Sequence, residues 1–257
     1  MSHASLSFDR AVDYYDRTRS LTPQARTAMT ELLRRELDGR GPVLEIGVGT
    51  GRIALPLHEA GVELIGIDIS EPMLRRLGAN AGGRTPFPVA RADATALPFR
   101  KDSFGAAIAS HVLHLIPRWR SVLKNVVDAV RPGGVFLLDH GDWQGVFREI
   151  GDRFIDLARL DRSNRGVDRV EDIDAAMRVR GATPRLLPEI VMRKPRSYEQ
   201  MISSLEDGTW SRTWQASEEV RRAAGAELRR WSEERYGDLS QEIVDETSIL
   251  WHAFDLP

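Results

Sequence analysis

The residues of this chain that could do chemistry gather where apolar runs end. Val43 to Arg52 reads VLEIGVGTGR, in which Gly47, Gly49 and Gly51 alternate just after the apolar run that holds Glu45. Glycine is needed where φ is positive or where a ligand must approach bare backbone, and a helix starting after such a turn aims free N–H groups above the strand end. Asp68 closes the run VELIGI and Asp93 follows FPVARA. A carboxylate in such a place can accept from two donors at once, or it can be a loop acid or a helix cap. His111 and His114 follow GAAIAS, and VFLLD leads into Asp139, His140 and Asp142. A histidine titrates near working pH and can serve as a general base; it can equally be a packed or an exposed loop residue. The H-x-x-H pair would hold zinc only with a third ligand. None is usefully spaced, so no metal is expected.

The elements that must position these groups follow from periodicity. Thr22-Pro23 opens a helix carried by Met29, Leu32, Leu33 and Leu37, and Gly39 with Gly41-Pro42 ends it. Apolar runs then predict strands at 43–46, 62–68, 89–92, 105–110 and 135–139, with helices between them after Gly51, after Ser70 and over 118–130. Arg131-Pro132-Gly133-Gly134 is expected to be the turn before the fifth strand. Such alternation implies right-handed βαβ units and a parallel sheet. Beyond 145 the pattern loosens: helices at about 147–157 and 173–177, a sixth strand at 186–192, and a last strand at 247–254. Between those strands, Ser197-x-x-Gln200 is a capping box, and Val220, Ala224, Leu228 and Trp231 mark a longer helix. Residues 196–240 are therefore expected to be a helical insertion.

Three other readings compete for the glycine loop. A P-loop needs a Gly-Lys pair, which the chain lacks. A dinucleotide fingerprint needs a third glycine where Arg52 stands, and arginine there would obstruct the pyrophosphate. A tight turn without a ligand is the plain alternative. The loop does not stand alone, however. VLEIGVGTG, GIDIS at 66–70, ARADATALPF at 90–99, DSFGAAIASHVLHLIP at 102–117 and the RPGG turn before VFLLD follow one another in order and spacing. Together they resemble the class I S-adenosylmethionine-dependent methyltransferases, in particular the ubiquinone/menaquinone-type and small-molecule group, over about residues 40–140.

The resemblance implies a Rossmann-like α/β fold. It would have a largely parallel seven-stranded sheet with helices on both faces, an N-terminal helical lid (1–38), a cofactor-binding core (39–142) and a remainder (143–257) carrying helical cap elements at about 143–180 and 196–240. It implies S-adenosylmethionine as cofactor and S-adenosylhomocysteine as product. Gly47, Gly49 and Gly51 would pass under the methionine portion, and Glu45 would order the loop and face the amino-acid end, or else serve only as a structural hydrogen-bond acceptor for the loop. Asp68 would take both ribose hydroxyls, Ile69 would pack on adenine, and Asp93 with Ala94 would meet its amino edge. Asp93 is otherwise an Asx-turn residue. Ser110 would act through its backbone carbonyl, so its side chain is not required. His111 is placed to face the transferred methyl group, and His140 is the second candidate base. Tyr15 and Arg19 belong to a segment that would close over the cofactor, and Tyr14 joins Trp143, Trp210 and Trp214 as candidate walls of a substrate pocket. A helix packed on the sheet, and core tryptophans, are the alternatives.

Composition bounds the rest. The 257 residues carry a net charge of −2, no cysteine and 29% charged residues, which removes disulfides and thiolate chemistry and argues against nucleic acid as partner. No apolar run approaches the roughly 18–20 residues of a membrane span, and the N-terminus lacks a signal-peptide core, so a cytoplasmic chain with no membrane partner is expected. Thirty-three arginines against three lysines suggest a GC-rich bacterium. The expected function is in-line methyl transfer to an O, N or C nucleophile of a small molecule, by a monomer or homodimer. A macromolecular methyltransferase, a non-enzymatic binder of the same cofactor, and a dehydrogenase are the rivals.

Overall fold

The computed structural model describes residues 5–141, 143–163 and 165–257; Asp142 lies outside them. The chain divides into two compact units, one of Met1–Gly141, Arg165–Ile190 and Ile249–Pro257, the other of Asp142–Asn164 and Val191–Ser248.

The first unit begins with α1 (Tyr15–Thr18) and α2 (Pro23–Leu37), then alternates β1 (Val43–Ile46), α3 (Ala54–Glu59), β2 (Leu64–Asp68), α4 (Glu71–Asn80), β3 (Val89–Arg91), β4 (Phe104–Ser110), α5 (Trp119–Ala129) and β5 (Val130–Asp139). Polar side chains set the helix starts. Thr22 Oγ1 accepts from Ala25 N at 3.2 Å to open α2, and Ser70 Oγ accepts from Met73 N at 3.2 Å to open α4. The five strands pair in parallel in the order β3-β2-β1-β4-β5. Beyond β5 lies the antiparallel β9 (His252–Asp255), then β6 (Thr183–Leu186) at the edge, which makes seven strands. Helix α7 (Val170–Arg178) precedes β6.

Strand residues point alternately to opposite faces. Leu44, Ile46, Ala107, Ala109, Phe136, Leu138 and Phe254 form one buried cluster with Val122, Leu123 and Val126 of α5 and Ile173 and Met177 of α7. The alternate residues Val43, Ala106, Ile108, Val135 and Leu137 are also fully buried, so both faces are covered, as a parallel sheet requires. The carboxyl ends of β1, β2 and β4 therefore meet at one edge, with the glycine loop between β1 and α3.

Three expectations change. The RPGG segment lies inside β5, which pairs with β4 across a register shift between Phe104 and Ala106. The sixth strand resolves into β6 and a separate β7 (Ile190–Ser197). The last strand likewise splits into β8 (Glu242–Ile249) and β9, because only the second part pairs with β5.

The second unit holds the two-stranded sheet β7-β8 with α6 (Gly145–Leu157), α8 (Tyr198–Glu206) and α9 (Glu218–Tyr236). The capping box forms as expected: Gln200 N donates to Ser197 Oγ at 3.2 Å, and Ser197 N to Gln200 Oε1 at 3.0 Å. The core of this unit joins Phe147, Ile150 and Phe154 of α6 to Met201, Ile202 and Leu205 of α8 and Ala224 and Leu228 of α9. No helix among the described residues is long and apolar enough to cross a membrane.

Phe254 is fully buried and stacks on Phe136 with centroids 5.8 Å apart, so it holds the antiparallel strand to the parallel part of the sheet. Phe254→Ala should cost about 3–5 kcal/mol in urea unfolding followed by circular dichroism. Val179→Ala, at a side chain 86% exposed, should stay within about 0.5 kcal/mol of the wild type. Equal effects from the two would contradict this packing.

Candidate functional site

A cavity opens at the carboxyl edge of the first unit's sheet, enclosing about 670 Å³ of which part is open to solvent. Gly47, Gly49, Asp68, Ile69, Asp93, Ala94, Ser110 and His111 line it, brought together from four different strand ends. Tyr15, Phe8, Leu6 and Ser5 add a wall from the N-terminal segment. Tyr14 and Arg19, expected here, are not among the lining residues: they flank α1 as its caps.

The glycine loop is shaped by its own backbone. Gly47 has φ +70°, and a Cβ there would lie 2.8 Å from Val112 Cγ2. Gly49 places its N–H 2.9 Å from Asp68 Oδ2, while Ser70 N donates to Asp68 Oδ1 at 2.8 Å. The Asp68 carboxylate thus fastens the turns after β1 and β2 to each other and still presents lone pairs to the cavity. Burial raises its pKa, against the pull of those backbone N–H groups. Asp93 accepts from Thr95 N at 2.8 Å, the Asx-turn geometry, and lines the cavity as well.

Beneath the loop lies a set of buried charges. Glu45 is 2% exposed, and its Oε2 has no hydrogen-bond partner. Burial pushes its pKa up to about 8, with Asp68 adding to the rise and Arg52 opposing it. Arg52 Nη2 donates to Ser110 Oγ at 2.8 Å, and Ser110 Oγ donates to Asp139 Oδ2 at 3.0 Å. The same Oδ2 lies 2.9 Å from His111 Nε2. Burial works against the charge on Asp139, but His111, Arg52 and Ser110 outweigh it and hold the carboxyl at about 2. The Ser110 side chain, expected to be dispensable, is the bridge in this chain of bonds.

His111 itself has φ +54°, a left-handed conformation that costs an ordinary residue roughly 1–2 kcal/mol. The bond from its N–H to Asp139 O at 2.8 Å holds it there. Gly141 closes on the ring, and a Cβ at that position would sit 2.5 Å from Nε2. His140 is differently placed. Its Nε2 faces Asp168 O at 3.3 Å, its ring meets that of His114 edge-on at 6.0 Å, and it is not a lining residue.

The N-terminal segment is anchored by residues that the sequence did not single out. Asp16 Oδ1 accepts from Thr50 Oγ1 of the glycine loop at 2.5 Å, and its Oδ2 from Asn80 at 2.9 Å and Arg76 at 3.1 Å. Asp9 Oδ1 accepts from Ser70 Oγ at 2.6 Å, and Leu6 N donates to Leu115 O at 3.1 Å. In the second unit, Trp143 and Trp210 are core aromatics packed around Phe147. Trp214 is tied by its indole N–H to Gly208 O at 2.7 Å.

A glycine turn facing an acid at the next strand end, in a sheet ordered β3-β2-β1-β4-β5, is the ligand-binding arrangement of Rossmann-like α/β folds. Residues 44–138 match the family model described as methyltransferase domain. An uncharacterized methyltransferase of Mycobacterium marinum is 34% identical over 106 residues, 41% of this chain and 41% of its own. A demethylmenaquinone methyltransferase of Clavibacter sepedonicus is 31% identical over 135 residues, 51% of this chain and 54% of its own. The chain thus spans about half the length of the curated relatives it matches. Among solved structures, the YcgJ protein of Bacillus subtilis aligns with a TM-score of 0.58 at 20% identity, over 90% of this chain and 99% of its own. The [4+2]-cyclase SpnF aligns at 0.54 and 16% identity, over 93% and 84%. Residues 44–138 thus resemble a methyltransferase domain, and the seven-stranded sheet that contains them has the Rossmann-like α/β fold of these solved structures.

Glu45 gives the site a pH signature. A carboxyl at about 8 in the folded protein against 4.5 ordinarily keeps its proton between those values, where the unfolded chain has lost it. Its contribution to stability therefore falls as pH rises from about 5 to 8. Glu45→Gln should remove that slope and gain roughly 3 kcal/mol on the wild type between pH 5 and 8 in urea titrations. Asp139 titrates well below this window. Parallel pH profiles for the two proteins would contradict the buried, unpaired carboxyl.

Proposed function

We propose that this chain moves a methyl group from S-adenosylmethionine to a small-molecule acceptor. The observation that carries the reading is the bare backbone of Gly49 opposite the Asp68 carboxylate within one cavity. A Cβ on Gly49 would meet nothing closer than Gly47 O at 3.8 Å and Asp68 Oδ2 at 4.0 Å, so the space in front of the loop is cut for a ligand.

On this reading Asp68 accepts the ribose hydroxyls, and Ile69, Asp93 and Ala94 receive the adenine. Gly47, Gly49 and Gly51 carry the amino-acid end, ordered by Glu45, and the Ser110 backbone meets its ammonium. Tyr15 and the anchored N-terminal segment exclude water. When bound, the sulfonium supplies an activated methyl group, so the chain's task is to align the acceptor and keep water out. His111 lines the cavity and is the candidate base; His140 does not line it. The curated relative from Clavibacter sepedonicus acts on demethylmenaquinone, which supports a small acceptor.

Calorimetric titration of S-adenosylmethionine should give binding on the order of −7 to −8 kcal/mol. Asp68→Ala should lose at least about 1.5 kcal/mol of it. Heat from NAD and none from S-adenosylmethionine would overturn the assignment.

A further inference from the structure

Resting on that reading, we propose that His111, Asp139, Ser110 and Arg52 form one proton-accepting unit, and that the acceptor is therefore a phenolic or enolic hydroxyl. Asp139 is buried to 4% exposure and accepts at Oδ2 from both Ser110 Oγ (3.0 Å) and His111 Nε2 (2.9 Å). A carboxylate only accepts, so Nε2 carries the ring proton and Nδ1 is left as the ring's lone-pair site. The Arg52 guanidinium, 2.8 Å from Ser110 Oγ, turns the serine hydroxyl toward Asp139, because Arg52 can only donate to that oxygen.

The backbone supports the same assignment. His111 is one of three non-glycine residues among those described with positive φ, and it lines the cavity. Backbone strain of this kind persists where surrounding structure over-determines it, as function requires. The bond from His111 N to Asp139 O (2.8 Å) and the bare Gly141 against the ring fix both ends of the residue.

An acceptor that already offers a lone pair, such as a neutral amine, has no need of this unit. A hydroxyl does, since a phenol titrates near 10 and keeps its proton at neutral pH. In the step, the hydroxyl oxygen bonds to the methyl carbon, and the C–S electron pair stays on the departing thioether sulfur. The hydroxyl proton passes to His111 Nδ1 and on to solvent. The products are a methyl ether, S-adenosylhomocysteine and one proton. His111 is the catalytic residue; Asp139, Ser110 and Arg52 are positioning residues.

The test has two parts. In the free protein, two-dimensional ¹⁵N NMR of the histidine rings should show His111 as the Nε2–H tautomer, and Asp139→Asn or Arg52→Gln should move it toward Nδ1–H. In turnover, S-adenosylhomocysteine should form from S-adenosylmethionine with catechol or 2-naphthol, and not with aniline or N-methylaniline, amines that are neutral at working pH. His111→Gln should lower that rate about 100-fold or more while leaving S-adenosylmethionine affinity within about two-fold. An Nδ1–H tautomer in the wild type, no product from any hydroxyl probe, or amine methylation that survives His111→Gln would each overturn the proposal. If the wild type fails to bind S-adenosylmethionine, the methyl-transfer reading falls and the acceptor class with it, whereas the tautomer measurement decides on the four-residue unit alone.

Discussion

The Asp68 carboxylate, accepting at one oxygen from Gly49 N–H and at the other from Ser70 N–H, is the bond on which the site depends. It joins the turn after β1 to the turn after β2, so the start of α3 and the start of α4 cannot separate. The glycine loop keeps its shape through positive φ angles that no side chain enforces, and such a loop would wander without an outside tie. The same carboxylate faces the cavity. One group therefore both builds the site and is available to a ligand in it, which is why its burial is tolerated.

Around that clamp the protein handles charge in two ways. Below the loop, Arg52 stands near two buried acids. Asp139, reached through Ser110 and paired with His111, keeps its charge; Glu45, with an oxygen left unpartnered, holds its proton. The difference is one of partners rather than of depth, since both are buried. Above the loop, Asp9 and Asp16 use hydrogen bonds from Ser70, Thr50, Asn80 and Arg76 to fix the N-terminal segment. The Asp16 carboxyl is held below the usual carboxylate range although burial opposes its charge.

Much of this was legible in the sequence because it rests on local rules. Strand-end acids, alternating glycines and the Ser70 and Thr22 caps declare themselves by type and spacing. The His111–Asp139 pair did not, although both residues end or follow neighbouring strands and the register places Ser110 opposite Asp139. Reading it required knowing that β4 and β5 are adjacent and that His111 turns back through a left-handed φ. The anchors Asp9 and Asp16 were hidden for another reason: their partners lie 61 and 34 residues away in the chain. At the far end, Thr247 to Phe254 reads as one apolar run, yet β8 and β9 belong to different sheets, a choice that pairing makes and periodicity does not. The tryptophans were ambiguous because a pocket wall and a small core ask for the same side chain.

A crystal structure with S-adenosylhomocysteine would decide whether Asp68 holds the ligand. Both ribose hydroxyls should lie within hydrogen-bond distance of Asp68, the adenine between Ile69 and the Asp93–Ala94 turn, and the amino-acid end over Gly47 and Gly49. Density for the ligand elsewhere on the chain, or a ribose that leaves Asp68 untouched, would contradict that placement.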